Sequence, residues 1–412
     1  MRIKRVLSVI CVIAMMVSVI CLAGSVFQRN HSGTFKYAEF WEDPAEYDVW
    51  FIGSSHTYHD IQPMELWRSQ GITSYDLAFP TGHIAQTYWT LMCALEKATP
   101  DLVVLDTYEL HLDKKLVNVS EKVHTNFDEI PFSRTKVKAL MDLTDGDTGA
   151  VMEYMFPLSL RHNEWRERDI KDILVPLNVG PKGSNIKSNV EDMSKVRLLD
   201  RNDGLKEDNI SMQYLRMIIE ECESRDIDIL ILCLPYYGHA KNQRGLNSTE
   251  RVIAGYDVPF VDVRWDGLVD PACDMADLNH ANLSGAVKVT DYISDYLAEN
   301  YSLKDHREDG SRISEEWKTD YSEYCDYLLR RIKNNPDLTE CLVLLSAGQY
   351  SAQICSKKPL GNAEQRLIDS HDNILVIDQE RAESVMDRKM QKDIVLIVTE
   401  RNSNEPILIR DF

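Results

Sequence analysis

This 412-residue sequence is short of positive charge: 46 Lys and Arg stand against 66 Asp and Glu, a formal net charge of −20. Affinity for phosphate backbones comes from clustered Lys and Arg, so the balance argues against a nucleic-acid binder and against adhesion of the main body to anionic lipid. Usable cysteine pairing is also missing. Of nine cysteines, Cys11 and Cys21 fall in an apolar leader, and the other seven form an odd, widely spaced set without a C-x-x-C. That pattern gives neither a disulfide framework nor zinc-ligand spacing. No G-x-S-x-G elbow, G-x-G-x-x-G fingerprint, P-loop or H-E-x-x-H occurs, so nucleotide use and metalloprotease chemistry lack support, and no cofactor or metal is expected. Beyond the leader, no apolar run is long enough to span a bilayer, and there is no internal repeat or low-complexity tract. What remains is an ordinary globular composition, 44% apolar and 27% charged. Its length suits two to three domains of roughly 150 residues.

The leader has a definite polarity. Arg2, Lys4 and Arg5 precede an uncharged run from Val6 to Gly24. As a helix, that run would extend about 28 Å, close to one hydrocarbon core. Basic residues on its N-terminal side predict a single-pass signal-anchor over residues 1–25, with the bulk of the chain outside the cytoplasm at the cell membrane. Ala23-Gly24-Ser25 also offers a cleavage site, the mark of a removed signal peptide, and either form exports the protein.

Residues 26–46 read as a tether. Val49–Ile52, Tyr75–Phe79, Leu102–Leu105, Ile227–Leu234 and Pro259–Val263 read as strands. They alternate with helical patterns at Ala85–Lys97, Met212–Cys222 and Ser284–Leu297, the last with Ser284 as N-cap. This alternation predicts an α/β fold over residues 47–302, a mostly parallel sheet covered on both faces. Its site would lie at the strands' C-terminal ends. A polar stretch at about 110–205 reads as an insertion able to wall or cover that site. Residues 303–412 read as a helical segment and a small C-terminal α/β module with β-like runs at Cys341–Leu345, Ile374–Ile377, Ile394–Val398 and Ile407–Ile409.

Two separated blocks carry chemistry. Gly53-Ser54-Ser55 follows the first strand, where a glycine allows a sharp turn and the next helix offers free amides to an oxyanion. A serine hydroxyl needs a base to take its proton. Asp277-Leu278-Asn279-His280, just before the last helix of the domain, supplies a histidine with an acid three residues earlier. That spacing lets the carboxylate reach the ring nitrogen that faces away from the serine.

Phe51-Ile52-Gly53-Ser54-Ser55 resembles the first block of the SGNH (GDSL-like) hydrolase superfamily, and Asp277–His280 resembles its last block. Tyr75–Gly82 is similar to the second block, whose glycine amide faces the oxyanion. The likeness covers residues 47–110 and 210–300 and is greatest to membrane-anchored bacterial surface proteins, similar to the SGNH proteins of lipoteichoic-acid D-alanylation and polysaccharide O-acetylation. It implies a flavodoxin-like three-layer sandwich. It also implies Ser55 as nucleophile, His280 as general base and Asp277 as its orienter, with the amides of Ser55 and Gly82 forming an oxyanion hole. The implied activity is acyl-ester transfer or hydrolysis through an acyl-Ser55 intermediate. The acceptor would be a cell-surface polysaccharide or teichoic-acid-like polymer, and the donor side a membrane-bound O-acyltransferase. One block departs from the pattern: the third strand ends Leu105-Asp106-Thr107-Tyr108-Glu109, without the asparagine that normally donates to the oxyanion. Thr107 and Tyr108 are the candidates to replace it.

Simpler readings stand beside these. Ser55 would serve as a helix cap, Asp277 as a loop carboxylate with Asp274 as alternative orienter, and His56 and His59 as rim histidines rather than metal ligands. The Arg161–Trp165 segment combines polar and aromatic groups that would suit a substrate contact or simple packing. As rivals to acyl transfer, the sequence admits a plain esterase and a catalytically silent surface-binding or assembly protein on the same scaffold.

Overall fold

The computed structural model describes residues 2–28, 37–116, 127–156, 181–196, 208–238, 240–401, 403 and 405–412. Its first helix, α1 (Arg2–Gln28), holds the uncharged run, and apolar side chains along it such as Val6, Ile10 and Ile13 are more than half exposed. The side chains of residues 2, 3, 17 and 20–28 lie outside the description. Among the described residues no helix is long and apolar enough to cross a membrane, so the fold gives the expected anchor over residues 1–25 no support.

Within residues 26–46, read as a tether, Tyr37, Phe40, Trp41 and Pro44 are buried. Phe40, in α2 (Ala38–Glu42), is buried against Trp41, Tyr47, Trp50 and Tyr75. A cluster of four large aromatic partners removes enough apolar surface from water to order a short segment.

Five strands follow: β1 (Val49–Ile52), β2 (Ser74–Asp76), β3 (Leu102–Asp106), β4 (Asp228–Cys233) and β5 (Phe260–Asp262). They form one sheet in the order β2-β1-β3-β4-β5, parallel at every pairing. Helices α3 (Ser55–Asp60) and α4 (Pro63–Gln70) follow β1, and α5 (Ile84–Ala94) follows β2. The inserted stretch contributes α6 (Arg134–Leu143) and α7 (Thr148–Met155); α8 (Ile210–Ser224) and α9 (Ala240–Ile253) bracket β4, and α10 (Leu283–Asn300) comes after β5.

The central strands β1, β3 and β4 are dominated by apolar residues because both faces are covered. Trp50, Ile52, Val103, Leu105, Ile229 and Ile231 pack on one side with Leu91 of α5 and Leu215 and Ile218 of α8. Val49, Phe51, Leu102, Val104, Leu230 and Leu232 pack on the other with Leu66 of α4 and Val289, Ile293 and Leu297 of α10. The alternation follows the two-residue period of a strand. Strand order and covering make this the three-layer α/β arrangement expected. The N-cap of α10 is Asn282 rather than Ser284: its side chain accepts from the amides of Ser284 and Gly285, while the Ser284 hydroxyl turns to Asp274.

The C-terminal part holds α11 (Arg312–Asn334), α12 (Leu338–Leu345), β6 (Tyr350–Ser356), α13 (Asn362–Ser370), β7 (Ile374–Val376), α14 (Gln379–Met386), β8 (Ile394–Glu400) and β9 (Pro406–Asp411). Its sheet runs β7-β6-β8-β9, with β6–β7 parallel and the other pairings antiparallel. Cys341–Leu345, read from sequence as β-like, lies in α12, where Asp337 caps the N-terminus and Cys341 to Leu345 are all buried. A short all-apolar run buried on every side has no period to tell strand from helix. The missing strand is β6, whose mixed residues Tyr-Ser-Ala-Gln-Ile-Cys-Ser form no apolar run.

Candidate active site

The site lies at the C-terminal ends of β1 and β3, where loops of a parallel sheet gather. β1 gives way to Gly53 at φ +149°, and a Cβ there would stand 2.7 Å from Thr57 Oγ1 and 2.8 Å from Asp106 Cβ. Only glycine fits this turn. Ser54 then caps α3: its hydroxyl accepts from the His56 amide and donates to Asp106 Oδ2 at 3.0 Å. Asp106, pushed up to about 6 by burial, also accepts from the Tyr108 amide and so ties the end of β3 to the turn. Capping therefore falls to Ser54, and Ser55 is the first helical residue with its hydroxyl directed elsewhere.

Ser55 Oγ lies 2.8 Å from His280 Nε2, and His280 Nδ1 lies 2.8 Å from Asp277 Oδ1. A carboxylate only accepts, so the Nδ1 proton is donated to Asp277 and Nε2 is left bare to accept from the Ser55 hydroxyl. Asp277 is fixed further by the amides of Asn279 and His280 on Oδ1 and by Lys187 Nζ at 2.7 Å from Oδ2. Burial pushes the Asp277 carboxyl up, but the hydrogen bonds from His280, Lys187 and Asn279 overcome it and hold the group well below the usual carboxylate range. The structure thus brings together residues from the first and last blocks, 225 positions apart. Asp274, the alternative orienter, is engaged elsewhere, accepting from Ser284 Oγ and Lys288 Nζ.

Gly82 is buried just before α5, and a Cβ on it would stand 2.3 Å from Glu109 Oε1. Among the described residues, neither its amide nor that of Ser55 donates to a protein acceptor. This leaves both amides available to an oxyanion. The third block places Tyr108 with its ring stacked on His56, centroids 3.6 Å apart. No asparagine stands there, and the Thr107 side chain is buried.

His56 and His59 are buried site neighbours rather than surface groups, their rings 5.2 Å and 4.9 Å from that of His280. Burial, then the neighbouring His280 and His59, push the His56 ring well below its ordinary value, so it is neutral. No group of three or more His, Cys, Asp or Glu able to hold a metal occurs among the described residues. The Arg161–Trp165 segment lies outside them.

Two neighbours of the site have no mark in the sequence. Asp60, at the end of α3, accepts from the Ala281 amide at 2.9 Å and is driven well above the usual carboxylate range by burial. It pins the backbone beside His280 to the serine helix. Lys187 comes from the inserted stretch. Neither belongs to a motif, and only the tertiary fold brings them to the site.

No known family's sequence profile and no curated protein matches this sequence. Among solved structures, the chain is similar to a G-D-S-L family protein, described as lipolytic, from Desulfitobacterium hafniense: 13% identity, TM-score 0.30, covering 60% of this chain and 97% of that one. It is also similar to an active-site mutant of a family two carbohydrate esterase from Clostridium thermocellum, at 8% identity and TM-score 0.29, over 62% of this chain and 64% of that one. An acetyl xylan esterase from the rumen bacterium Butyrivibrio proteoclasticus gives 12% identity and TM-score 0.26, over 61% and 64%.

Proposed function

We propose that this chain is a serine-dependent acyl-ester enzyme of SGNH type that works through an acyl-Ser55 intermediate. The observation that carries the reading is the hydrogen-bonded series Ser55 Oγ, His280 Nε2, His280 Nδ1 and Asp277, with 2.8 Å at each link. In the first half-reaction, Ser55 Oγ attacks the acyl carbon and its proton passes to His280 Nε2. The ester C–O bond then breaks, the alkoxide takes the proton from Nε2, and acyl-Ser55 remains. In the second half-reaction, an acceptor hydroxyl or water gives its proton to Nε2 and attacks the acyl carbon. Ser55 leaves and recovers the proton. Asp277 stays ionised throughout and stabilises the transient imidazolium. The free amides of Ser55 and Gly82 suit the developing oxyanion. Lack of the third-block asparagine implies a slow enzyme, since one such donor is worth about 10²–10³ in turnover.

The acceptor proposed is a hydroxyl of a cell-surface polysaccharide or teichoic-acid-like polymer, and the donor side a membrane-bound O-acyltransferase. Support comes from the resemblance in the three blocks and from the basic residues before the uncharged run of α1, which suit an exported, membrane-held protein. Tethering to one bilayer would raise the effective concentration of such partners. The test is release of nitrophenolate from 4-nitrophenyl acetate by the full chain, with and without a polyol polymer. Release lost in Ser55→Ala supports the reading, and acetyl groups gained by the polymer establish transfer over hydrolysis. Release unchanged in Ser55→Ala would remove the reading.

A further inference from the structure

Residues 184–193 form a strap between the two halves of the site. On the serine side, the Asn185 amide donates to Tyr58 O at 2.7 Å, and Asn185 O accepts from His59 Nδ1 at 3.1 Å. On the histidine side, the Asn189 side chain donates to Ala276 O at 2.6 Å, the Leu283 amide to Lys187 O and the Glu191 amide to Met275 O, both at 2.8 Å. The strap is gripped from behind by the C-terminal part. Arg331 of α11 donates to Ile186 O and Ser188 Oγ, and Ser188 donates to Glu340 of α12 at 2.7 Å. Between those gripped residues, Lys187 points the other way and places Nζ on Asp277 Oδ2.

We infer that Lys187 is a positioning residue for the Asp277–His280 pair: it fixes the carboxylate opposite the imidazole and offsets part of its charge, and so sets where the acid limb of Ser55 reactivity falls. This rests on the reading of Ser55 and His280 given above. A bare carboxylate beside a histidine favours the imidazolium, and a cation on that carboxylate opposes it. The groups facing His280 are Asp277 from its own loop, Ser55, His56, His59 and Asp60 from α3, and Lys187 from the strap. His56 in turn faces Tyr108, Tyr236 and His111. Burial disfavours charge on His56 and on Asp60, which leaves the Asp277–Lys187 pair as the main charge arrangement beside His280. Side chains of Lys187 and Asp277 are 26% and 34% exposed, so solvent screens the pair and its effect is modest.

The experiment follows the second-order rate of fluorophosphonate labelling of the full chain across about pH 5 to pH 9. Wild type is compared with Lys187→Met, Lys187→Gln and Lys187→Arg, each checked for its melting temperature. In Lys187→Met the acid limb should move to higher pH by about 0.5–1 unit, with the plateau rate within about threefold of wild type. Lys187→Arg, which keeps the charge, should return the limb to its wild-type place. A purely structural role would lower the plateau and leave the limb where it is, and that outcome overturns the inference. Lys187→Gln supplies the same comparison if the Met variant is unstable. Wild type that takes no label at any pH overturns the acyl-Ser55 reading itself. Wild type that labels, with an unmoved limb in the neutral variants, overturns the Lys187 inference alone.

Discussion

The two sheets of this protein differ in more than size. The five-stranded sheet is wholly parallel, buried on both faces, and turns all its strand C-termini toward one end, where Ser55 and the His280 loop meet. The four-stranded sheet is mostly antiparallel, so its strand ends alternate and its loops divide between two ends. Its short edge strand β7 leaves Leu375 and Val376 more than half exposed. The helices beside it reach the site's surroundings, Arg331 and Glu340 contacting the strap and Arg366 contacting Asp270, seven residues before Asp277 in the loop that leads to His280. Parallel topology concentrates reactive groups at one end of a sheet. The second unit meets the loops around that end by hydrogen bonds from its helices.

That contrast is sharpest under substitution in the first sheet's site. Ser55→Ala and His280→Ala should each lower esterase turnover by about 10⁴-fold or more, and Asp277→Asn by about 10³–10⁴-fold, in proteins that melt like wild type. In the second sheet, Leu396→Ala removes a fully buried side chain of β8. It should cost about 2–5 kcal/mol of stability by denaturant unfolding, while turnover per folded molecule changes little. A site-like loss of turnover in a still-folded Leu396→Ala protein would break the contrast.

A smaller effect depends on pH. Burial pushes the Glu109 carboxyl up to about 8. A raised folded-state value means the folded protein holds the proton more tightly, so this contribution is fully present below the ordinary 4.5 and is lost as pH rises through about 8. Glu109→Gln, neutral at every pH, should therefore lose less melting temperature between those limits than wild type, and equal losses would contradict the assignment. The smallest expected change is Ser54→Ala. Loss of this cap should cost about 1 kcal/mol and leave labelling intact. Loss of labelling there would shift the nucleophile assignment.

Much of the first sheet could be read from the sequence because β1, β3 and β4 hold runs of four or more apolar residues. Ser55, Asp277 and His280 were legible for another reason: a turn glycine and a three-residue acid-to-histidine spacing are local requirements. Lys187, Asp60 and Glu109 meet no local requirement. They come beside the site when a strap, a helix end and a loop close on one another, and no periodicity marks that closure. Ser284 lies inside α10 instead of capping it because Asn282, two residues earlier, already starts the helix and accepts from the Ser284 and Gly285 amides. β6 shows no apolar run because the half-buried Ser351 and Gln353 alternate with its buried residues.

The most direct measurement is peptide mass spectrometry of the full chain after treatment with a fluorophosphonate. The account predicts one adduct on Ser55, absent in His280→Ala at matched folding and retained in Ser54→Ala. An adduct on another residue, or one on Ser55 that persists undiminished in His280→Ala, would contradict it.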